Sequence, residues 1–328
     1  MIAVDANGAD QGPAAVAEGA RRSGIPALLF GPAAELGDGV EIVDAPERIE
    51  SGAEPVRAVR EHPEASIVRA AKAVAEGRAD ALVSAGSTGP TMAAATLSIK
   101  RIKGVHRPAL AVLAPLPKGP VLLLDCGANV EVRPEHLVQF AYLGAAFMDA
   151  VVGVDSPSVG LLSVGEEQGK GTPDVLEAGE RLAQGPLNYV GNVEGFDLPG
   201  AGAQVIVSDG FTGNVALKVL EGTSRVVRDA IRERIRSGAI SSLGGLLIKR
   251  NVERLRDEID PEGVGGAILL GLRKPVVVGH GSFGPKGIAS AIRLARRAAD
   301  ERMVERTREA LDSAGALRSA TAASVETR

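Results

Sequence analysis

One unit recurs along this chain and limits the folds open to it: an apolar strand, then a glycine-rich turn, then a helix start. Ala81-Leu82-Val83-Ser84 leads into Ala85-Gly86-Ser87-Thr88-Gly89 and a helical stretch from Thr91. Val205-Ile206-Val207-Ser208 leads into Asp209-Gly210-Phe211-Thr212-Gly213-Asn214. Val276-Val277-Val278 leads into Gly279-His280-Gly281-Ser282-Phe283-Gly284. Such turns aim backbone N–H groups and a helix N-terminus at one spot, which suits an anion and above all phosphate. Further strands read at 2–5, 27–30, 41–43, 109–113, 120–125, 159–162 and 186–190, with helices at 14–22, 66–75, 134–152, 174–184 and 215–236. Apolar strands alternating with helices predict a three-layer α/β/α fold with a mostly parallel sheet. Ligands in such sheets gather at the carboxyl ends of strands, so all three turns are expected to share one edge.

Several function classes are excluded by simple physical arguments. The net charge is −4, and there are two Tyr and no Trp, so neither a basic stripe nor a base-stacking platform is available for nucleic acid. Cys126 is the only cysteine, which forbids an intrachain disulfide and fits a reducing compartment. The start Met1-Ile2-Ala3-Val4-Asp5 reads as a strand and not as a secretory signal, and no apolar run is long enough to span a bilayer. A cytoplasmic protein is expected, with contact at the inner membrane face left open. The absence of a linker favours one catalytic unit of two lobes over 1–314, followed by a frayed tail at 315–328.

The motifs differ in what they support. Gly279 to Gly284 matches GxGxxG, but no second strand with an acidic end follows, so a dinucleotide fingerprint is incomplete. Gly165 to Thr172 is one residue short of a P-loop and carries two carboxylates, which rules out a triphosphate cradle. Lys170, between two glycines after a strand, either meets an anion or is a solvated loop residue. Asn214 is either a helix cap or an amide donor to a developing oxyanion. Cys126 reads as a small buried residue, because a nucleophilic thiol needs a base beside it. His62, His106, His136 and His280 share no metal-ligand spacing, so no metal site is expected. Between Ala239 and Asp260, apolar residues at helical spacing alternate with Lys249, Arg250, Arg254 and Arg256. Gly244-Gly245 would let this stretch bend into a projecting hairpin. It either docks on the core or meets a membrane or a partner.

Taken together, these segments resemble the phosphate acyltransferases of bacterial phospholipid synthesis. The carriers are Asp5-Ala6-Asn7-Gly8-Ala9-Asp10, Val83 to Gly89, Arg107-Pro108-Ala109, Leu124 to Asn129, Gln139-Phe140-Ala141, Gly165-Glu166-Glu167 with Lys170-Gly171, Gly191 to Gly195, Asp209 to Asn214 and Gly279-His280-Gly281. The chain departs at Asn7, Ala9, Ser87 and Pro90, where the family usually carries Met, Gly, Asn and Ala.

The resemblance implies a fold similar to isocitrate and isopropylmalate dehydrogenases and to phosphotransacetylase, and a homodimer. It implies transfer of a fatty acyl group from acyl carrier protein to inorganic phosphate, without a cofactor. Lys170, Asn214 and Asp209 are then the expected catalytic residues. Asp5, Gly8, Ser84, Gly86, Ser87, Thr88, Gly89, Asn129, Gly213, His280 and Gly281 are expected to bind substrate or phosphate. The alternatives are a short-chain phosphotransacetylase using coenzyme A thioesters, an NAD-dependent dehydrogenase of similar fold, and a peripheral membrane scaffold of the lipid synthesis machinery.

Overall fold

Eleven strands of the described residues join in a single sheet. The structure, a computed structural model, describes residues 1–50, 52 and 54–317. The strands are β1 (Ile2–Asp5), β2 (Ala27–Gly31), β3 (Glu41–Asp44), β4 (Ala81–Ser84), β5 (Ala109–Ala114), β6 (Val121–Leu124), β7 (Val159–Leu162), β8 (Tyr189–Val193), β9 (Val205–Val207), β10 (Ala267–Leu270) and β11 (Val276–Val278). Their spatial order is β3-β2-β1-β4-β11-β10-β5-β6-β9-β7-β8. Helices cover both faces. Ile2 and Val4 enter one core and Ala3 the other, as alternating side chains must, and this is why β1 reads as an unbroken apolar run.

Helix positions follow from local chemistry. Pro13, Pro134, Pro173 and Pro285 each open a helix, where a missing N–H costs nothing. In the Pro285–Asp300 helix, Ile288, Ala291, Ile292, Ala295 and Ala298 form one buried stripe. Each large side chain buried in this way contributes about 1.5–3 kcal/mol. Gly19 of the Pro13–Ser23 helix lets that stripe approach closely, because a Cβ there would stand 2.5 Å from Ile288 Cβ.

Sheet direction overturns one expectation. β3, β2, β1, β4 and β11 form a parallel block, and β6, β9, β7 and β8 form another. The pairs β11–β10, β10–β5 and β5–β6 between them are antiparallel, so the two blocks run in opposite directions. The turns after β4 and β11 therefore lie on one edge, and the turn after β9 lies on the other. Two hairpins, β5–β6 and β10–β11, make the reversal. β4 and β9 stand five strand steps apart, a span of about 24 Å at ~4.8 Å per step.

The helices Gly210–Arg236 and Ala239–Glu258 pack on each other, and the second has no buried residue. The turn between them falls at Ser237–Gly238, and Gly244-Gly245 lies inside an unbroken helix. Gly245 serves close packing instead of bending, since a Cβ there would sit 2.3 Å from Ile235 Cγ2. Of the segment expected to fray, Ala316 is tied down through its carbonyl, which accepts from Gln139 Nε2 at 2.8 Å. Residues 318–328 lie outside the described residues. Among the described residues no helix is long and apolar enough to cross a membrane.

Candidate active site

Asp5 organises the first edge. It ends β1 and is buried; its carboxylate accepts from Ser66 Oγ at 2.6 Å and Ser84 Oγ at 2.7 Å. Ser84 Oγ in turn accepts from the Gly86 N–H at 3.1 Å and from Thr91 Oγ1 at 3.2 Å. Burial pushes the Asp5 carboxyl above the usual carboxylate range, while Ser66, Ser84 and the Asn7 N–H pull it back. Gly8 and Gly86 bring their loops into backbone contact; a Cβ on Gly8 would lie 2.5 Å from Gly86 Cα. Two helices, Ser66–Ala75 and Thr88–Ser98, begin here, and neither start is capped by a side chain. Asp5, Gly8, Ser66, Gly86, Ser87 and Thr91 line a small pocket there, with Arg48 at its wall. Uncapped helix starts and a guanidinium make this pocket a fit for an oxyanion.

Gly89 packs against Pro55, which a Cβ at Gly89 would approach to 2.9 Å. His280 and Gly281 are on the same edge. The Asp10 N–H donates to the Gly281 carbonyl at 3.1 Å, and His280 Nδ1 pairs with Ser282 Oγ at 2.7 Å.

The opposite edge gathers the remaining expected residues. Asp125, after β6, is buried and accepts from the N–H groups of Leu110, Ala128 and Asn129 and from Asn129 Nδ2, at 2.7–3.0 Å. Burial nevertheless raises its carboxyl above the ordinary range. Asn129 also donates to the Pro108 carbonyl at 2.7 Å, so its amide braces two loops. Asp209 caps the Gly210–Arg236 helix, accepting from Phe211 and Thr212 N–H at 2.9 and 2.8 Å. Asn214 is therefore not the cap. It sits one turn into that helix, exposed, with no hydrogen bond among the described residues, and 3.8 Å from its Cγ a Cβ on Gly127 would stand. Lys170 is exposed on a loop fastened by its backbone: its N–H donates to Glu167, and its carbonyl accepts from Ser163 Oγ and Asn192 Nδ2 at 3.0 and 2.9 Å. Its ammonium makes no ion pair among the described residues.

Thus Asp5, Gly8, Ser84, Gly86, Ser87, Thr88, Gly89, His280 and Gly281 share one edge, and Asn129, Lys170, Asp209, Gly213 and Asn214 share the other. Ser66, Thr91 and Asp125 were missed as site residues. Asp125 had a readable signal, an acidic residue closing an apolar strand as Asp5 does. Ser66 and Thr91 lie on helices and reach Asp5 and Ser84 only through the tertiary fold.

Two other sequence readings are resolved chemically. Cys126 is buried, and burial together with the charge of Asp125 pushes its thiol far up, which leaves it inert as a nucleophile. His106, from the loop before β5, and the adjacent Glu135 and His136 of the Pro134–Phe147 helix do place their ligand atoms within 4.8 Å of one another, although the histidine spacing suggested no site. However, His136 Nδ1 accepts the Arg133 N–H at 3.1 Å, so the neutral ring holds its proton on Nε2 and offers a cation no free lone pair. Burial lowers the His136 pKa and keeps that ring neutral.

The fold is that of the phosphotransacetylases. A phosphotransacetylase from Streptococcus pyogenes superposes with a TM-score of 0.61 at 19% identity, covering 92% of this chain and 94% of its own. A branched-chain phosphotransacylase from Enterococcus faecalis V583 gives 0.57 at 17% identity, covering 91% and 99%. Sequence relatedness is narrower and stronger. The family described as "Fatty acid synthesis protein" matches residues 1–306. A phosphate acyltransferase of Desulfitobacterium hafniense (strain Y51) is 41% identical over 94% of this chain and 97% of its own length. One from Bacillus cereus (strain G9842) is 43% identical over 90% and 93%. The chain belongs to the phosphate acyltransferase family.

Proposed function

We propose that this chain moves a fatty acyl group from acyl-[acyl-carrier-protein] to inorganic phosphate, giving acyl phosphate for glycerol-3-phosphate acylation. The carrying observation is its relatedness to phosphate acyltransferases over nearly its full length. Geometry supports the phosphate half of the reaction. The pocket beside Asp5 receives the anion at the starts of the Ser66–Ala75 and Thr88–Ser98 helices. A phosphate oxygen attacks the thioester carbonyl carbon, the carbonyl oxygen becomes an oxyanion, and the C–S bond then breaks to release the thiol. Part of the phosphate is already dianionic near pH 7, so binding, desolvation and aim matter more than a general base. Lys170 neutralises the attacking or transferred phosphoryl oxygens, and the Asn214 amide donates to the oxyanion.

In a single chain these two residues lie on the opposite edge from the Asp5 pocket and at least five strand steps away, roughly 24 Å or more on the strand spacing given above. The complete site is therefore assigned to a homodimer in which one copy presents its Lys170–Asn214 edge to the Asp5 edge of the other.

The direct test is phosphate-dependent release of free carrier protein from palmitoyl carrier protein. Faster turnover of a coenzyme A thioester of the same chain length would favour the short-chain phosphotransacetylase reading instead. Within this site, Asn214→Asp is expected to lower kcat by on the order of 10²–10³, because it replaces a donor with a negative charge. A wild-type kcat would remove the amide from the mechanism.

The paired long helices support a second, peripheral role at a membrane surface. Ile240, Leu246 and Leu247 are 88%, 66% and 80% exposed, which is far from docking on the core. Lys249, Arg250, Arg254 and Arg256 on the same helix suit anionic headgroups. Leu246→Ser with Leu247→Ser is expected to reduce co-sedimentation with phosphatidylglycerol vesicles while leaving the melting temperature unchanged. Unchanged co-sedimentation would refute this role.

A further inference from the structure

We infer that Lys100, Arg101, Lys103, Arg107 and Arg273 form the docking surface for an acidic face of the carrier protein; this rests on the reaction proposed above and specifies where its protein substrate sits. The chain as a whole is acidic, with 41 Asp and Glu against 37 Lys and Arg. Yet no Asp or Glu occurs from Ala81 to Leu124, or from Gly263 to Ala299. The sheet brings these two acid-free stretches together. Residues 100–108 precede β5, and Arg273 follows β10; the antiparallel β10–β5 pairing puts both on one edge. That edge also carries Asp125, Asn129, Lys170 and Asn214.

The platform is braced. The Arg273 N–H donates to the Lys100 carbonyl at 3.0 Å, and Arg273 Nε to the Arg101 carbonyl at 3.1 Å. The Arg101 guanidinium holds the His106 carbonyl. Ile102 and Val105 are buried between the exposed cations, and the Ile102 N–H bonds the Gly271 carbonyl at 2.9 Å. Lys100 sits at φ +69°, a left-handed conformation in which Gly or Asn is the ordinary choice. None of the five cations has an ion-pair partner among the described residues, whereas Arg22, Arg57, Arg78, Arg181, Arg296 and Arg306 elsewhere on the surface each meet a carboxylate. Fixed positive charges without an ion-pair partner among the described residues steer and orient an acidic partner. The patch adjoins the catalytic edge through Asn129, whose amide holds the Pro108 carbonyl beside Arg107. A carrier seated there holds its thioester arm next to that edge.

The test compares wild-type protein with Lys100→Glu/Lys103→Glu, whose side chains make no hydrogen bond among the described residues. Palmitoyl carrier protein is titrated by fluorescence anisotropy and by steady-state turnover at two salt concentrations. The variant is expected to raise Kd and KM about ten-fold or more at low salt, with kcat and melting temperature unchanged. Wild-type affinity should fall as salt rises and that of the variant should not. Unchanged Kd and KM in the variant overturn the docking surface. So does a variant that loses binding to phosphatidylglycerol vesicles but keeps its carrier affinity. If wild-type protein binds palmitoyl carrier protein but shows no phosphate-dependent turnover, the proposed reaction fails while the docking surface stands.

Discussion

Lys170→Ala is expected to lower phosphate-dependent turnover by on the order of 10²–10³ while leaving the melting temperature within a degree or two, because a positioned charge is lost and no packing is. The loop does not depend on the side chain: the Lys170 N–H bonds Glu167, and its carbonyl bonds Ser163 and Asn192. Phosphate carries up to two charges at the attack step, and a lysine held beside it is worth more in the transition state than a solvated one. A variant with wild-type kcat/KM at subsaturating phosphate would return Lys170 to the status of a surface lysine. The same variant tests the two-edge site. Asp5→Asn keeps the shape of the other edge but disturbs the Ser66 and Ser84 hydrogen bonds. Co-expressing Lys170→Ala and Asp5→Asn chains makes half of all dimers mixed, each with one intact composite site. Activity should recover to about a quarter of wild type. If each variant is inactive alone and the mixture stays inactive, both edges do not meet across a dimer.

Gly213→Ala should produce the larger structural effect. A Cβ at this position would lie 2.0 Å from the Asp125 carbonyl oxygen. That oxygen belongs to a backbone pinned by Ser208, which accepts the Asp125 N–H at 3.0 Å, and by the four donors to the Asp125 carboxylate. Neither side can yield cheaply, so the cost is expected to be about 1–3 kcal/mol or more, lowering Tm by roughly 2–10 °C. Activity should fall with it, since Asn214 follows directly. Gly222→Ala, in the same helix with open space around its Cβ, is the control and should be neutral or slightly stabilising. Equal melting temperatures for the two variants would contradict the close packing of these turns.

Much of the fold was legible because strand and helix periods are local properties. β1, β4, β6, β7 and β9 coincide with apolar runs read directly from the residues, and proline-initiated helices follow β1, β6 and β7. The family was legible too, since its motifs occur in order along the chain. The close approach of Gly8 to Gly86 gives those motif glycines a physical reason: no Cβ fits between the loops.

What the residues alone determined is thus the α/β class, the glycine-rich turns and the membership of the phosphate acyltransferase family. Tertiary structure decided which turns share an edge. Strand direction depends on pairing between distant segments, and the insertion of β10 between β11 and β5 reverses the sheet midway. No local pattern at Asp209 or Asn214 records that reversal. The same holds for Ser66 and Thr91, which meet Asp5 and Ser84 only after packing, and for the cap of the long helix, where carboxylate geometry selected Asp209 over Asn214. A side chain's identity and spacing set what it can do chemically. Its partners are set by non-local contacts, which exist only once the chain has folded.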